Sequence, residues 1–114
     1  MKMQAIKNKS YYLHCLGKAL RFVSKNYPNC AMGVSGSWGK ITNQTGIFQH
    51  FKLTRGLCGD ADTVSFESIK SPGHFLRQDQ NYWVQLNKEE SSEAFKKDAS
   101  FRPIQDAYHD VCVL

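Results

Sequence analysis

The sequence predicts an all-β fold on three observations. Segments of strand length recur along the 114 residues, and several are rich in aromatic or β-branched residues. Apolar positions at helical spacing are almost absent, and turn-forming residues separate the segments. The second half of the chain also partly repeats the first. Many short strands joined by regular turns are typical of a barrel or sandwich.

Eight segments are predicted strands. They are residues 11–13, 19–23, 48–53, 64–66, 74–76, 82–86, 100–102 and 111–114. Turn signals lie between them at residues 27–29, 33–37, 54–56, 58–60 and 71–73. Residues 29–46, rich in Gly, Ser and Asn, are expected to form a long surface loop. Only residues 88–97 could form a helical turn, and they are too polar to bury a face.

The predicted core and turns belong mainly to the second half. Pro72-Gly73 is expected to form a hairpin turn, and Arg77 to pack its stem and bond backbone or a nearby carboxylate. Tyr82 and Trp83 are adjacent, so in a strand one faces inward and the other outward. The predicted barrel core consists of Phe75, Leu76, Val84, Leu86, Phe95 and Phe101.

Charge is distributed unevenly along the chain. Residues 1–57 hold nine basic and no acidic residues, whereas residues 58–114 hold six basic and ten acidic residues, giving +9 and −4. A one-sided basic surface attracts polyanions, or the acidic half of another copy, although it can equally be a solvated face without a partner. No apolar run approaches the ~20 residues of a membrane-spanning helix, and residues 1–9 lack the apolar stretch of a signal peptide.

Cysteine usage favours secretion over metal binding. Cys15, Cys30, Cys58 and Cys112 form no CxxC pair, so a structural metal site is not expected. An even count in a small chain permits two disulfides, with three possible connectivities. Two glycosylation sequons, beginning at Asn8 and Asn43, also suit an extracellular protein.

An internal repeat distinguishes among the all-β folds. Phe51 and Phe101 lie 50 residues apart, and each begins a segment that leads into a further strand. Residues 12–13 and 20–22 also resemble residues 75–76 and 84–86. A repeat of about four strands fits one lobe of a β-trefoil. The expected arrangement is one domain, with lobe one at about 10–57, lobe two at about 58–106 and a partial third lobe at 107–114.

The second lobe resembles a known family. The segment from Val64 to Arg77, with its Val-Ser-Phe and Pro-Gly-His-Phe-Leu-Arg sequences, and the segment from Phe95 to Phe101 are similar to the AbfB domain. That resemblance implies an arabinose-binding β-trefoil module, found on α-L-arabinofuranosidases and other extracellular proteins, that binds saccharide without catalysing a reaction. It is specific over about 50 residues and faint over the first 45, where lobe one would hold an insertion of about 13 residues.

The resemblance also implies which residues bind the sugar. In the family, a His after the Leu-Arg pair and the Asp of the last segment do this work; here Gln78 replaces the His and Asp98 stands at the second position. His74 and an outward aromatic residue, Tyr82 or Trp83, would complete the pocket. The alternative for Asp98 is a turn residue that bonds its own backbone. Lobe one has Cys15 near the His position and no carboxylate, so it should not bind this sugar.

Other functions find less support in the sequence. Motifs of hydrolases, nucleotide-binding proteins and metalloproteases do not occur, and no cofactor is expected. Asp60, Asp62 and Glu67 form a conceivable glycosidase set, but the family's catalytic residues lie on a separate module. The alternative function is an interaction protein that holds a sulfated glycan or a protein partner. Its predicted binding residues are Lys18, Arg21, Lys25, Lys40 and Lys52.

The C-terminal segment predicts self-association. Residues 111–114 form an apolar strand that would open a third lobe. An unpaired strand edge exposes backbone donors and acceptors to another chain. We therefore expect either a homo-oligomer formed through this strand or a marginally stable domain.

Overall fold

The all-β prediction is confirmed by a computed structural model, which describes residues 15–22, 27, 29–43, 50–79, 83–102 and 112–113. Within these residues the elements, in chain order, are β1 (Ala19–Phe22), β2 (Ala31–Ser35), β3 (Trp38–Thr42), β4 (Phe51–Arg55), β5 (Val64–Ser68), β6 (His74–Gln78), β7 (Val84–Lys88), helix α1 (Glu93–Asp98) and β8 (Cys112–Val113). The predicted strand at residues 11–13 lies outside the described residues.

The strands form one curled antiparallel sheet. Their spatial order is β2-β3-β7-β6-β5-β4-β1-β8. Three pairs carry the longest ladders, β2 with β3, β4 with β5, and β6 with β7. This arrangement is β-trefoil-like, as the repeat predicts. No helix among the described residues has the length and apolar character needed to cross a membrane.

The strand register defines how the two repeats correspond. Leu20 of β1 pairs with Phe51, and Val64 of β5 pairs with Phe101 through an isolated bridge. In sequence, the hairpin β2–β3 lies between Leu20 and Phe51, and the hairpin β6–β7 lies between Val64 and Phe101. β1 therefore corresponds to β5. The match of residues 20–22 with 84–86 is therefore wrong. Alternating apolar residues occur in all these strands, and alternation alone does not specify which strand matches which.

The long surface loop expected at residues 29–46 is wrong over most of its length. Five residue pairs join β2 to β3, from Ala31–Thr42 to Ser35–Trp38. Ala31 and Met32 are buried, and Gly36, with a φ of +64°, forms the turn. The predicted turn at Pro72-Gly73 is confirmed, since Gly73 has a φ of +83° between the paired strands β5 and β6.

The polar segment near residue 90 forms a helix that does bury a residue. Phe95 N donates to the Ser92 hydroxyl at 3.2 Å, which caps the first turn of α1. Phe95 is 2% exposed and packs against Phe75 and Ala99. One aromatic side chain on an otherwise polar helix is therefore enough to attach α1 to the sheet.

Two apolar clusters lie on opposite sides of the sheet. The larger fills the barrel and contains Cys15, Leu20, Met32, Phe51, Leu53, Val64, Phe66, Leu76 and Val84. The smaller lies under α1 and contains Phe75, Phe95 and Ala99, with Leu57 packed against it. The predicted barrel core is confirmed for Leu76 and Val84, and Leu86 and Phe101 pack against it. It is wrong for Phe75 and Phe95, which are buried in the smaller cluster because they lie on the other side of the sheet.

A buried hydroxyl connects the two sides of β5. Ser65 is fully buried, and its hydroxyl donates to the carbonyl of Ala99 at 2.6 Å. The same oxygen accepts from the amide of Leu57 at 3.0 Å. Ser65 therefore links the β4–β5 connection to the residue that ends α1.

Two of the four cysteines carry free thiols. Cys30 and Cys58 are both free, so the two disulfides that the cysteine count permits do not both form. Cys58 lies in the β4–β5 connection, where its amide donates to the Ser100 hydroxyl at 3.0 Å and its Sγ lies 3.4 Å from Thr63 Oγ1. Hydrogen bonds from neighbouring hydroxyl groups lower the pKa of the Cys58 thiol from its ordinary value; the Ser100 hydroxyl has the largest effect and the Thr63 hydroxyl the next.

The C-terminal strand is paired within the chain. In β8, Cys112 pairs with Phe22 and Val113 with Arg21 of β1. This pairing occupies one edge of β8, which was expected to pair with a second copy. The partial third lobe thus contributes to the sheet of its own chain.

We predict that Ser65→Ala lowers the free energy of unfolding by about 1–3 kcal/mol, because it leaves the half-buried Leu57 amide and the buried Ala99 carbonyl without their partner. Chemical unfolding followed by circular dichroism measures the change. Ser91→Ala, at an exposed position, is the control and should shift stability by less than about 0.5 kcal/mol. Equal unfolding midpoints for the two variants would contradict this role of Ser65.

We predict that Cys58 reacts with iodoacetamide at lower pH than a model thiol, because its pKa is lowered and the thiolate is the reactive species. The rate is measured from pH 6 to 10 on a Cys30→Ser background, with adduct sites assigned by mass spectrometry. N-acetylcysteine provides the reference profile. A Cys58 midpoint at or above that of the reference would show that the hydroxyl groups do not stabilise the thiolate.

Candidate functional site

Side chains from three neighbouring strands form a row on the outside of the barrel. Leu76 and Val84 point into the barrel core, so the alternation of side chains places Arg77 and Gln85 on the opposite face. Arg77 pairs with Gln85, and Gln85 pairs with Trp38. We call the surface formed by Trp38, Arg77, Asp79, Trp83, Gln85 and Asp98 the outer face.

An ion pair fixes one end of the outer face. Arg77 Nη2 donates to Asp98 Oδ2 at 3.3 Å, and the Arg77 guanidinium lies 5.5 Å from the centroid of the Phe95 ring. Glu90 lies 4.0 Å from Arg77 Nη1. The Asp98 side chain is 32% exposed, so this carboxylate is held in place and still reaches solvent. The expected contact between Arg77 and a carboxylate is confirmed.

A second carboxylate organises the middle of the outer face. Asp79 Oδ1 accepts from the amide of Trp83 at 3.0 Å, and Oδ2 accepts from Gln85 Nε2 at 2.9 Å. The Asp79 amide donates to the carbonyl of Trp83 at 2.9 Å. Asp79 therefore positions both Gln85 and Trp83. Sequence reasoning missed this residue, which directly follows β6 only because β6 extends to Gln78, two residues beyond the predicted strand.

Two tryptophans form the other end of the outer face. The Trp38 and Trp83 ring centroids lie 6.0 Å apart at an angle of 75°, an edge-to-face contact. Trp38 is 50% exposed and Trp83 is 62% exposed. Trp83 is thus an outward aromatic residue, as its place beside Tyr82 allowed, whereas Tyr82 lies outside the described residues.

The remaining predicted sugar-binding residues lie on the other side of β6. His74 and Gln78 alternate with Arg77 and share the side of Leu76. They stand four residues apart, which corresponds to about 13 Å along a strand. His74 Nδ1 lies 3.4 Å from the carbonyl of Pro72, and Gln78 pairs with Val84. The structure thus brings Asp98 together with Arg77, on the face opposite His74 and Gln78.

A shallow cleft of about 460 Å³ lies beside the β5–β6 turn. Charged residues of both signs line it, together with the small residues Gly73 and Ser91. Its remaining lining residues are Lys88, Glu89, Glu90 and Lys96. The cleft contains none of the predicted sugar-binding residues.

The described basic residues of the alternative function lie on or beside three different strands. Lys18 and Lys52 are exposed next to the β1–β4 pairing, whereas Lys40 lies on β3, four strands away from β4 in the sheet. Arg21 is half-buried in β1, and Lys25 lies outside the described residues.

The conceivable glycosidase carboxylates have structural partners. Arg102 contacts Asp62 and also Asp60, the latter at 3.3 Å. Glu67 accepts from the amide of Gly73 at 2.8 Å. Within the described parts of the chain, no group of three metal-ligating side chains converges.

Comparisons with known proteins agree with the fold. The family model described as the alpha-L-arabinofuranosidase B (ABFB) domain matches residues 20–111. A solved GH54 α-L-arabinofuranosidase soaked with a cyclic sulfate inhibitor is similar at 22% identity with a TM-score of 0.62. A second, an arabinofuranosidase complexed with arabinofuranosyl-α-1,2-xylobiose, is similar at 21% identity with the same TM-score. No curated protein sequence matches.

The two similarities to solved structures cover one domain of much larger enzymes. Each covers 74% of this chain but only 18% of the other chain. The family match covers most of the present sequence, including both repeats and the outer face. The chain therefore belongs to the AbfB family, a carbohydrate-binding domain of GH54 arabinofuranosidases.

Proposed function

We propose that this protein is a non-catalytic module that binds an arabinofuranose-related saccharide. Membership of the AbfB family supports the saccharide class. The observation that carries the proposal is the partly exposed Asp98 carboxylate, held by Arg77 beside other fixed hydrogen-bonding groups. Such a preorganised arrangement suits a neutral ligand with many hydroxyl groups.

Asp98 would be the principal ligand residue. A carboxylate accepts hydrogen bonds through both oxygens, so it can bind two neighbouring hydroxyls of one sugar ring. Arg77 bonds to one Asp98 oxygen and stops the side chain from rotating freely. The Asp98 carboxylate is thereby held in one orientation, so less side-chain entropy is lost when the sugar binds.

Gln78 would take the role of the family's His from the end of β6. Gln carries both donors and an acceptor, so it can still bond a hydroxyl. Its side chain lies on the side of β6 opposite Asp98, so it would reach the sugar around the end of the strand, where Tyr82 would add an aromatic contact. His74, four residues away on that side, would not contact the same ring. Replacement of His by Gln is expected to weaken the site rather than abolish it.

The absence of catalysis forms part of the same proposal. Asp60 and Asp62 contact Arg102, and Glu67 bonds the backbone of the β5–β6 turn. These partners give each carboxylate a structural role. An extracellular location is also proposed, and it suits the sequons at Asn8 and Asn43.

We predict that Asp98→Asn weakens binding of methyl α-L-arabinofuranoside by at least about tenfold, because hydrogen bonds to a charged group contribute about 1.5–3 kcal/mol. Isothermal titration calorimetry on the folded variant measures the affinity. Glu93→Gln is the matched control: it removes one charge from the same helix, at a side chain that is 80% exposed. This control should bind as the wild type does.

Three results would count against the proposed function. Absence of heat with millimolar arabinofuranoside would remove the saccharide class. Equal weakening in Asp98→Asn and Glu93→Gln would show that only the overall charge matters. Release of reducing sugar from an arabinofuranoside would contradict the non-catalytic role.

A further inference from the structure

The outer face carries a pair of aromatic residues, Trp38 and Trp83, that have no part in binding one sugar ring at Asp98. The chain contains two tryptophans, and both belong to this pair. Each leaves half or more of its surface in water. Large aromatic side chains are normally mostly buried, so two adjacent exposed rings suggest a surface that is covered by a ligand.

The scaffold holds the two rings in place. Trp83 is bonded through both its amide and its carbonyl to Asp79. Trp38 lies at the start of β3, where it pairs with Gln85 of β7. In the same region the amide of Leu86 donates to the carbonyl of Ser37 at 2.7 Å. A ligand would thus meet a platform whose two rings are already oriented.

The pair continues directly from the proposed sugar site. Arg77, Gln85 and Trp38 lie on three adjacent strands, so the row spans about 10 Å. That length exceeds a single sugar ring. The tryptophans offer apolar faces for the C–H groups of a sugar, and Gln85 lies between them and Arg77 to meet hydroxyl groups.

We propose that Trp38 and Trp83 form a second subsite, which binds the next residue of a saccharide chain whose arabinofuranose-related unit contacts Asp98. This inference rests on the proposed function and extends it from a monosaccharide to an oligosaccharide. Trp38 comes from the first repeat and Trp83 from the second, so the subsite requires both hairpins.

Tryptophan fluorescence tests the subsite directly, because both tryptophans of the chain lie in it. Wild type is titrated with methyl α-L-arabinofuranoside and with arabinofuranosyl-α-1,2-xylobiose. The longer ligand should change the emission and bind about tenfold more tightly, whereas the monosaccharide should bind without that gain. Calorimetry on Trp38→Ala should show the tenfold gain lost and the monosaccharide affinity kept.

Tyr27→Ala is the matched control, because Tyr27 is an exposed aromatic residue outside the outer face, at 67% exposure. It should keep the gain. Equal affinities for both ligands in wild type, with unchanged emission, would overturn the subsite while leaving the proposed function intact. Failure of both ligands to bind would overturn the two together.

Light scattering tests the alternative that a second copy of the chain, rather than a saccharide, covers Trp38 and Trp83. If Trp38→Ala and Trp83→Ala convert a dimer to a monomer without changing oligosaccharide affinity, the pair is a contact between copies and the subsite is overturned. A wild type and variants of the same size, with the affinity loss confined to the oligosaccharide, support it.

Discussion

The two hydrogen bonds of the Ser65 hydroxyl connect β5 of the barrel to the β4–β5 connection and to the end of α1. β5 packs Val64 and Phe66 into the barrel core, and Ser65 between them points the other way. There it holds Leu57 on one side and Ala99 on the other. Because Ala99 directly follows Asp98, the position of the candidate ligand carboxylate depends on a hydroxyl buried behind the sheet.

This connection also explains why a short polar helix is well placed. The helix α1 has six residues, which is too short for stability by itself. It is anchored by Phe95 in the small apolar cluster, by the Ser92 cap and by the bond from Ser65 to Ala99. Arg77 then lies against both Phe95 and Asp98. The packing of α1 and the geometry of the site are thus one arrangement.

The two repeats share a framework but differ in chemistry. Met32 and Leu76 both fill the barrel from the first strand of their hairpins. The next residue is Gly33 in the first repeat and Arg77 in the second, and no acidic residue precedes Asp60. The first repeat therefore lacks the ion pair, and its contribution to the outer face is Trp38.

Sequence reasoning predicted the second half well because its strands carry strong local signals. Alternating apolar residues locate β5, β6 and β7, and the Val-Ser-Phe and Leu-Arg sequences carry the family resemblance. β2 and β3 were not predicted because the buried Ala31 and Met32 lie in a segment rich in Gly and Ser, which are typical of loops.

The candidate site was predicted only in part, for a different physical reason. Asp98 follows from the family resemblance of its segment, and an outward aromatic residue at Tyr82 or Trp83 follows from their adjacency. Asp79 and Trp38, in contrast, take part through strand pairing and hydrogen bonding. Trp38 contacts Trp83 because β3, from the first repeat, pairs with β7, from the second repeat. Contacts of this kind depend on the tertiary register, which residue patterns do not specify.

The most direct test of the account is a map of amide chemical shifts on the ¹⁵N-labelled protein during titration with arabinofuranosyl-α-1,2-xylobiose. We expect perturbations on the outer face, at Arg77, Asp79, Gln85 and Asp98, together with the indole N–H signals of both tryptophans. Perturbations confined to the basic residues of β1, β3 and β4, or an unchanged spectrum at millimolar ligand, would contradict it.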